Sequence, residues 1–220
     1  MQDYHVKTPA YFAAARRDIE ALLPPPAGRV LELGCGTGAT LAWLKGSGRA
    51  ATTVGIEIHP AAAEQARTSV DRVICQDFEH AAAPVDLGRF ELILCLDVLE
   101  HLVDPWKTVD RLVRDHLAPG GTMLVSVPNV RHHSVLLPLA LKGRWDYTDA
   151  GPLDRTHLRF FTHASALQLL EHPQLESVRC LRPGFTAGSA KAAFNALTLG
   201  LFQEFLAFHY LVSAVKGAAA

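Results

Sequence analysis

Cysteine is scarce in this chain, and its four copies stand apart. Cys35, Cys75, Cys95 and Cys180 make no C-x-x-C pair, which excludes a disulfide scaffold and the usual zinc-ribbon spacing. Three of them fall in or beside apolar runs, where they read as small buried hydrophobes. Neither sign of charge is in excess: 21 Lys and Arg against 22 Asp and Glu leave a formal net charge of −1. No basic field argues for nucleic acid or an anionic membrane. A long unbroken apolar run is missing too. The longest apolar region, Ala193 to Val215, is interrupted by Asn195, Gln203, Glu204 and His209 and makes a poor membrane span. Met1 to Lys7 is polar and carries no apolar leader. These absences predict a cytoplasmic protein in a reducing compartment, with no stable membrane insertion. Internal repeats and low-complexity segments are also absent.

What is present is enough for one core: 220 residues, 49% hydrophobic and 20% charged. The organising stretch is Val30-Leu31-Glu32-Leu33-Gly34-Cys35-Gly36-Thr37-Gly38. It reads as strand, tight glycine turn, then a helix through Leu44. Glycines in such a turn accept positive φ and let a ligand touch the backbone. The helix N-terminus behind them offers free N–H groups and a positive dipole end.

Further along, strands are predicted over 52–57, 72–75, 90–96 and 122–127, with helices over 61–68 and from Asp104-Pro105 to about Leu117. Pro119-Gly120-Gly121 reads as a turn. The alternation predicts an α/β fold, a Rossmann-like doubly wound sheet with helices on both faces. One domain is expected over 1–220. It begins with an N-terminal helical segment in 1–26 (a helix from Thr8 to Leu23, stopped by Pro24-Pro25-Pro26). Residues 128–161 break the rhythm as a substrate-side insert or lid, with a short helix over 134–141. Beyond it come a helix capped by Thr162, a strand over 175–181, a helix over 190–201 and a last strand over 205–215.

Acids fall where such sheets bind ligands, at the C-terminal strand ends. Glu32 and the Gly34, Gly36, Gly38 run close the first strand. Glu57, with Ile58, ends the second, where a carboxylate can accept both hydroxyl protons of a ribose. Asp77 and Phe78 end the third, suited to an adenine amino group and an apolar ring contact. Leu96 and Asp97 end the fourth.

On these residues the chain resembles the class I S-adenosylmethionine-dependent methyltransferases. Glu32-Leu33-Gly34-Cys35-Gly36-Thr37-Gly38 is similar to their first motif, Glu57 to the ribose-binding acid and Asp77 to the adenine-side acid. Asp97-Val98-Leu99-Glu100-His101 and Leu117-Ala118-Pro119-Gly120-Gly121 resemble their segments around strands four and five. The resemblance implies a seven-stranded sheet with an antiparallel last strand. It also implies S-adenosylmethionine as cofactor, S-adenosylhomocysteine as product, and no metal site. Pro128 to His132, Gly143 to Trp145 and Leu153 to Thr162 are similar to a bacterial subgroup. Its members are often found beside glycosyltransferases, which implies a sugar or small-molecule acceptor and association with glycan-assembly enzymes.

Methyl transfer needs an aligned acceptor, a dry site and, for a hydroxyl, a base. The candidates are His157, set among Asp154 and Arg159, then His133 and His101. Asn129, Arg131, Trp145, Tyr147, Asp154 and Arg159 are the candidate substrate contacts. The alternative role for Asp154 and His157 is a structural brace within the insert. His132, His133, Asp154 and His157 together could also ligate a metal, though their spacing matches no familiar zinc pattern. Two rival readings remain. One is a nicotinamide-dependent oxidoreductase, since Gly34 to Ala39 satisfies G-x-G-x-x-A. Glu32 before the turn, the glycine at the fifth position and the lack of a Tyr followed four residues later by Lys argue against it. The other is a non-catalytic cofactor-binding scaffold.

Overall fold

The computed structural model describes residues 14–80, 87–184 and 189–218. Seven strands form one sheet: β1 (Ala27–Leu33), β2 (Ala50–Glu57), β3 (Arg72–Cys75), β4 (Phe90–Leu96), β5 (Leu117–Pro128), β6 (Leu175–Leu181) and β7 (His209–Lys216). Their order is β3-β2-β1-β4-β5-β7-β6. All pairs are parallel except those made by β7, which runs antiparallel to β5 and β6. Strand order therefore reverses between β1 and β4, and a crevice opens at their C-terminal ends.

β4 shows why the sheet sits in the middle of the molecule. Ile93 and Cys95 point into one core, with Leu31, Val54, Val109 and Leu112. Leu92, Leu94 and Leu96 point into the other, with Ile19, Val30, Leu41 and Leu44. A strand buried on both faces has to be apolar at every position, so β4 reads as a run and not as an alternation. The helices that cover these faces include α1 (Ala39–Gly46), α2 (Pro60–Ala66) and α3 (Pro105–Arg111). Asp104 caps α3 by accepting a bond from Lys107 N at 3.0 Å, with Pro105 in the first turn as predicted.

Several boundaries differ from expectation. Residues 8–13 of the predicted N-terminal helix lie outside the described residues. The remainder forms only a 3-10 turn over Arg17–Leu22. Leu23 is held extended by the proline that follows it, and Arg16 and Asp18 are tied to distant strand ends. The helix expected to reach Leu117 leaves α geometry at Arg111 and widens into a π turn over Leu112–His116. Strand β5 then begins at Leu117, not Thr122. Pro119-Gly120-Gly121 is a bulge within it, since Phe90 faces Leu117 while Leu92 faces Thr122. Near the C-terminus, α6 (Ala190–Leu197) ends early and α7 (Gln203–Leu206) precedes β7. Gly200, at φ +79°, and Leu199, at φ +51°, break the helix that the composition favoured.

The insert contains α4 (His133–Lys142) and leads into α5 (His163–Gln168). Its two ends are pinned together by a bridge between Asn129 and Phe161. Asn129, predicted as a substrate contact, is fully buried, and its amide is used as a knot within the chain. Its Nδ2 donates to the carbonyls of Glu204 at 2.6 Å and Ala207 at 2.7 Å, and its Oδ1 accepts from Tyr210 Oη and Arg131 N, both at 2.7 Å. Every hydrogen-bonding valence of that amide is used. Asn129→Ala leaves buried groups unsatisfied and is expected to lower stability by about 2–4 kcal/mol. Urea unfolding reads this directly, and an unchanged midpoint would refute the knot.

Candidate functional site

The glycine turn between β1 and α1 adopts the conformation its residues allow. Gly34, Gly36 and Gly38 have φ of +72°, +53° and +80°, a region that costs other residues strain. Space is as tight as the backbone. A Cβ on Gly34 would lie 2.8 Å from Val98 Cγ2, and one on Gly38 would lie 2.5 Å from Val70 Cγ2. Gly38 thus serves as the N-cap of α1, packed on α2 and the loop that follows it, and is not among the residues lining the cleft described next.

Below the turn lies an open cleft of about 960 Å³, lined by Glu32, Gly34, Cys35, Gly36, Glu57, Ile58, Leu96 and Asp97. Eight of the predicted cofactor residues therefore share one surface. Glu57, at the end of β2, is buried. Its Oε2 accepts from Gly36 N and its Oε1 from His59 N, each at 2.8 Å. The carboxylate is thereby fixed while keeping lone pairs for a diol. Ile58 is 50% exposed and offers an apolar ledge beside it. Glu32 is buried, and among the described residues its Oε2 has no hydrogen-bond partner. Burial pushes its carboxyl up to about 8, with Glu57 adding repulsion; Arg16 and a bond from Thr40 oppose the shift.

The far wall joins the predicted Asp97 to Arg16, which the sequence reading missed. Asp97 is one of three non-glycine residues with positive φ among those described, at +52°. Such strain is held only where neighbours fix it. Here Ser126 Oγ donates to Asp97 Oδ1 at 2.6 Å, and the Arg16 guanidinium pairs with Asp97 Oδ2. Arg16 also donates to Ser126 Oγ at 3.0 Å and pairs with Asp18 at 2.9 Å. Burial works against the Arg16 charge, but Asp18 and Asp97 outweigh it and hold it protonated. Asp18 in turn lies 3.0 Å from His209. Arg16 sits in a stretch that lacks any motif, so only the fold could reveal it.

Asp97 also borders a second hollow of about 440 Å³, lined by Glu100, Pro128, Gly151, His157, Phe208 and His209. Of the three predicted histidines, His157 lies in this hollow and His101 in the first cleft. Their rings meet edge to face with centroids 4.8 Å apart. His157 Nδ1 is 3.2 Å from the Pro152 carbonyl, and Nε2 is 3.9 Å from Glu100 Oε1. Glu100 is 1% exposed; burial first, then Asp97, raises its carboxyl well above the ordinary range. His133 stacks on His132 at 4.0 Å and lines neither space. The metal set of His132, His133, Asp154 and His157 is not assembled as a group among the described residues.

Other expectations meet a different use. Phe78 is buried in the core with the Arg111 guanidinium 3.8 Å from its ring centre. Asp77 sits at the end of β3 as predicted, but its carboxylate caps a turn. It accepts from Glu79 N at 2.9 Å and lies 2.8 Å from His80 Nδ1. Those bonds hold its pKa low although burial opposes the shift. Asp154 is buried and accepts from Thr156 N at 2.9 Å and Oγ1 at 2.7 Å, so the brace describes its contacts. Arg131 pairs with Glu204, Arg159 donates to the Val103 carbonyl, Trp145 packs on Phe160 and Tyr147 is exposed. Neither cleft includes any of these five residues.

The glycine-acid cleft lies at the switch point of a methyltransferase-type sheet. Comparison with known proteins agrees. A model of the methyltransferase domain matches residues 8–179, and the chain belongs to that family. It is 34% identical over 123 residues to trans-aconitate 2-methyltransferase of Deinococcus radiodurans, covering 56% of this chain and 46% of that protein. It is 32% identical over 128 residues to ubiquinone biosynthesis O-methyltransferase of Thiobacillus denitrificans, covering 55% and 53%. The matches span about half the length of those relatives. An S-adenosylmethionine-dependent methyltransferase from Mesorhizobium loti shares the fold, with TM-score 0.63, 20% identity and coverage of 91% of this chain and 96% of that one. These findings place the chain among the class I methyltransferases, and the oxidoreductase reading finds no support.

The Glu32 carboxyl makes a pH prediction. Unfolded, it ionises near 4.5; folded, it holds its proton up to about 8. Stability should therefore fall as pH rises through that window and level off above it. Glu32→Gln should flatten the profile, gaining on the order of a few kcal/mol over the parent at pH 8 and little at pH 4.5. Urea unfolding at both pH values decides; a gain equal at both would sink the argument.

Proposed function

We propose that this chain transfers a methyl group from S-adenosylmethionine to an oxygen of a small-molecule acceptor. The observation that carries the reading is the meeting of two spaces at Asp97: a glycine-acid cleft and a hollow floored by Glu100 and His157. The residues present fit the cofactor. Glu57 is fixed to receive a ribose diol, Ile58 gives an apolar surface for a base, and the turn at Gly34 has no room for a side chain. When bound, S-adenosylmethionine supplies a methyl group activated by a positively charged sulfur.

The chain's own residues do the rest. Glu57 and Asp97 set a negative field around the cleft, which favours a cationic ligand. Arg16, paired to Asp97 and Asp18, closes one side against water. The insert brings His157 to the acceptor hollow, where loss of a hydroxyl proton has to occur. The named relatives act in small-molecule O-methylation and on trans-aconitate, which supports a small acceptor. The glycan side of the reading rests on the likeness of residues 128–132, 143–145 and 153–162 to the polysaccharide-associated subgroup. Cytoplasmic location is part of the same proposal; none of the described helices is long and apolar enough to cross a membrane.

Calorimetric titration should show binding of S-adenosylmethionine and none of NADH. Glu57→Ala should weaken that binding at least about tenfold through lost diol bonds. His157→Ala should keep cofactor affinity and lower turnover at least about a hundredfold, assayed by product mass with hydroxylated small molecules and nucleotide sugars. Cofactor binding without turnover on any acceptor would favour the scaffold reading instead. Equal turnover in His157→Ala removes this side chain from the chemistry.

A further inference from the structure

Three potential ligands meet where the two spaces join. One donor atom from each of Glu100, His101 and His157 lies within 4.8 Å of the others. Glu100 and His157 belong to the hollow and His101 to the cofactor cleft. Glu100 is 1% exposed, and among the described residues neither of its carboxyl oxygens has a hydrogen-bond partner outside its own main chain. Native interiors rarely leave such a group unmet, and a bound ion is one of the few reasons for it.

The two imidazoles are oriented as metal ligands are. His157 Nδ1 lies 3.2 Å from the Pro152 carbonyl, and His101 Nδ1 lies 3.1 Å from the Thr156 carbonyl. A carbonyl can only accept, so each Nδ1 carries a hydrogen, and in the neutral ring the lone pair is on Nε2. Donation of the second ring N–H to a backbone carbonyl is the usual support of a ligating histidine. His157 Nε2 faces Glu100 Oε1 at 3.9 Å. That spacing is too long for a hydrogen bond. It is close to the roughly 3–3.5 Å between ligand atoms around a tetrahedral zinc, within reach of a small side-chain rotation.

We propose that Glu100, His101 and His157 bind a divalent first-row transition ion of the zinc type, which holds the acceptor hydroxyl. The inference rests on the methyltransferase reading for its purpose, though not for its ligands. Two nitrogens and one carboxylate favour such an ion over Mg²⁺ or Ca²⁺, which prefer all-oxygen shells. Three protein ligands leave a position open, as in catalytic sites. An acceptor hydroxyl there loses its proton to solvent water, and its oxygen keeps the electron pair while bound to the cation. His157 is then a ligand and not itself the base.

The test is equilibrium dialysis of the full chain, stripped with chelator, against Zn²⁺ and separately Co²⁺. One equivalent should bind, with visible Co²⁺ absorption bands showing nitrogen ligation. Glu100→Gln and His157→Ala should weaken binding at least about a hundredfold, since even supporting residues cost tens of fold. His101→Ala, at a less buried position, serves if either variant fails to fold. S-adenosylmethionine affinity should be the same with and without the ion, while turnover returns only with it. Less than one bound equivalent, or equal affinity in the variants, overturns the site. Cation binding without any binding of S-adenosylmethionine would support the site and overturn the methyltransferase reading alone.

Discussion

Crowding of carboxylates at one end of the sheet is the constraint that shapes this molecule. Glu32, Glu57, Asp97 and Glu100 close β1 and β2 or follow β4, and three of the four are almost fully buried. Like charges in a dry place cannot all ionise, so the group needs protons, donors or cations. Each acid finds a different answer. Glu57 takes two backbone N–H groups, Asp97 takes Arg16 and Ser126, and Glu32 keeps a proton. Glu100 finds no donor from another side chain among the described residues. A protein that concentrates acid this way sets aside stability for a ligand that brings positive charge.

The backbone was bent to make that possible. Positive φ at Gly34, Gly36 and Gly38 lets the β1 turn fold back over β2, where Gly34 N and Cys35 N both donate to the Ile56 carbonyl at 2.8 and 3.2 Å. Asp97 performs a comparable reversal at the end of β4 without being glycine. Its strain is held by Ser126 on the neighbouring strand and by Arg16 from outside the sheet. The two bends face one another across the switch point, so the cleft follows from strand order combined with local φ.

Much of this was legible in residue order, because strands, turns and end-of-strand acids are local signals. The β1 to α1 turn, β4 and the Asp104 cap stand as read. What failed was long-range. Phe78 looked like a ring contact at a strand end, yet Arg111 and the core claim it. Asn129 looked polar and available, yet its partners come from Glu204, Ala207 and Tyr210, some 75 to 81 residues on. Arg16 belongs to no motif; its meaning comes from Asp97, 81 residues later. Pro119-Gly120-Gly121 carries turn chemistry, but pairing with β4 absorbs it as a bulge.

The insert joins the two levels. Its ends are fastened by the Asn129–Phe161 bridge, and Leu158 N and Arg159 N both donate to the Glu100 carbonyl, at 2.8 and 3.0 Å. The main chain of residues 157–159 is thus sewn to the segment that follows β4. This places the His157 ring against Glu100 and His101 by backbone geometry, independent of what those side chains bind. A contact that served the insert alone could have used any apolar residue at 157 and 100. A buried imidazole at 157 and a buried carboxyl at 100 are costly to hold at that seam, where an apolar pair would cost less.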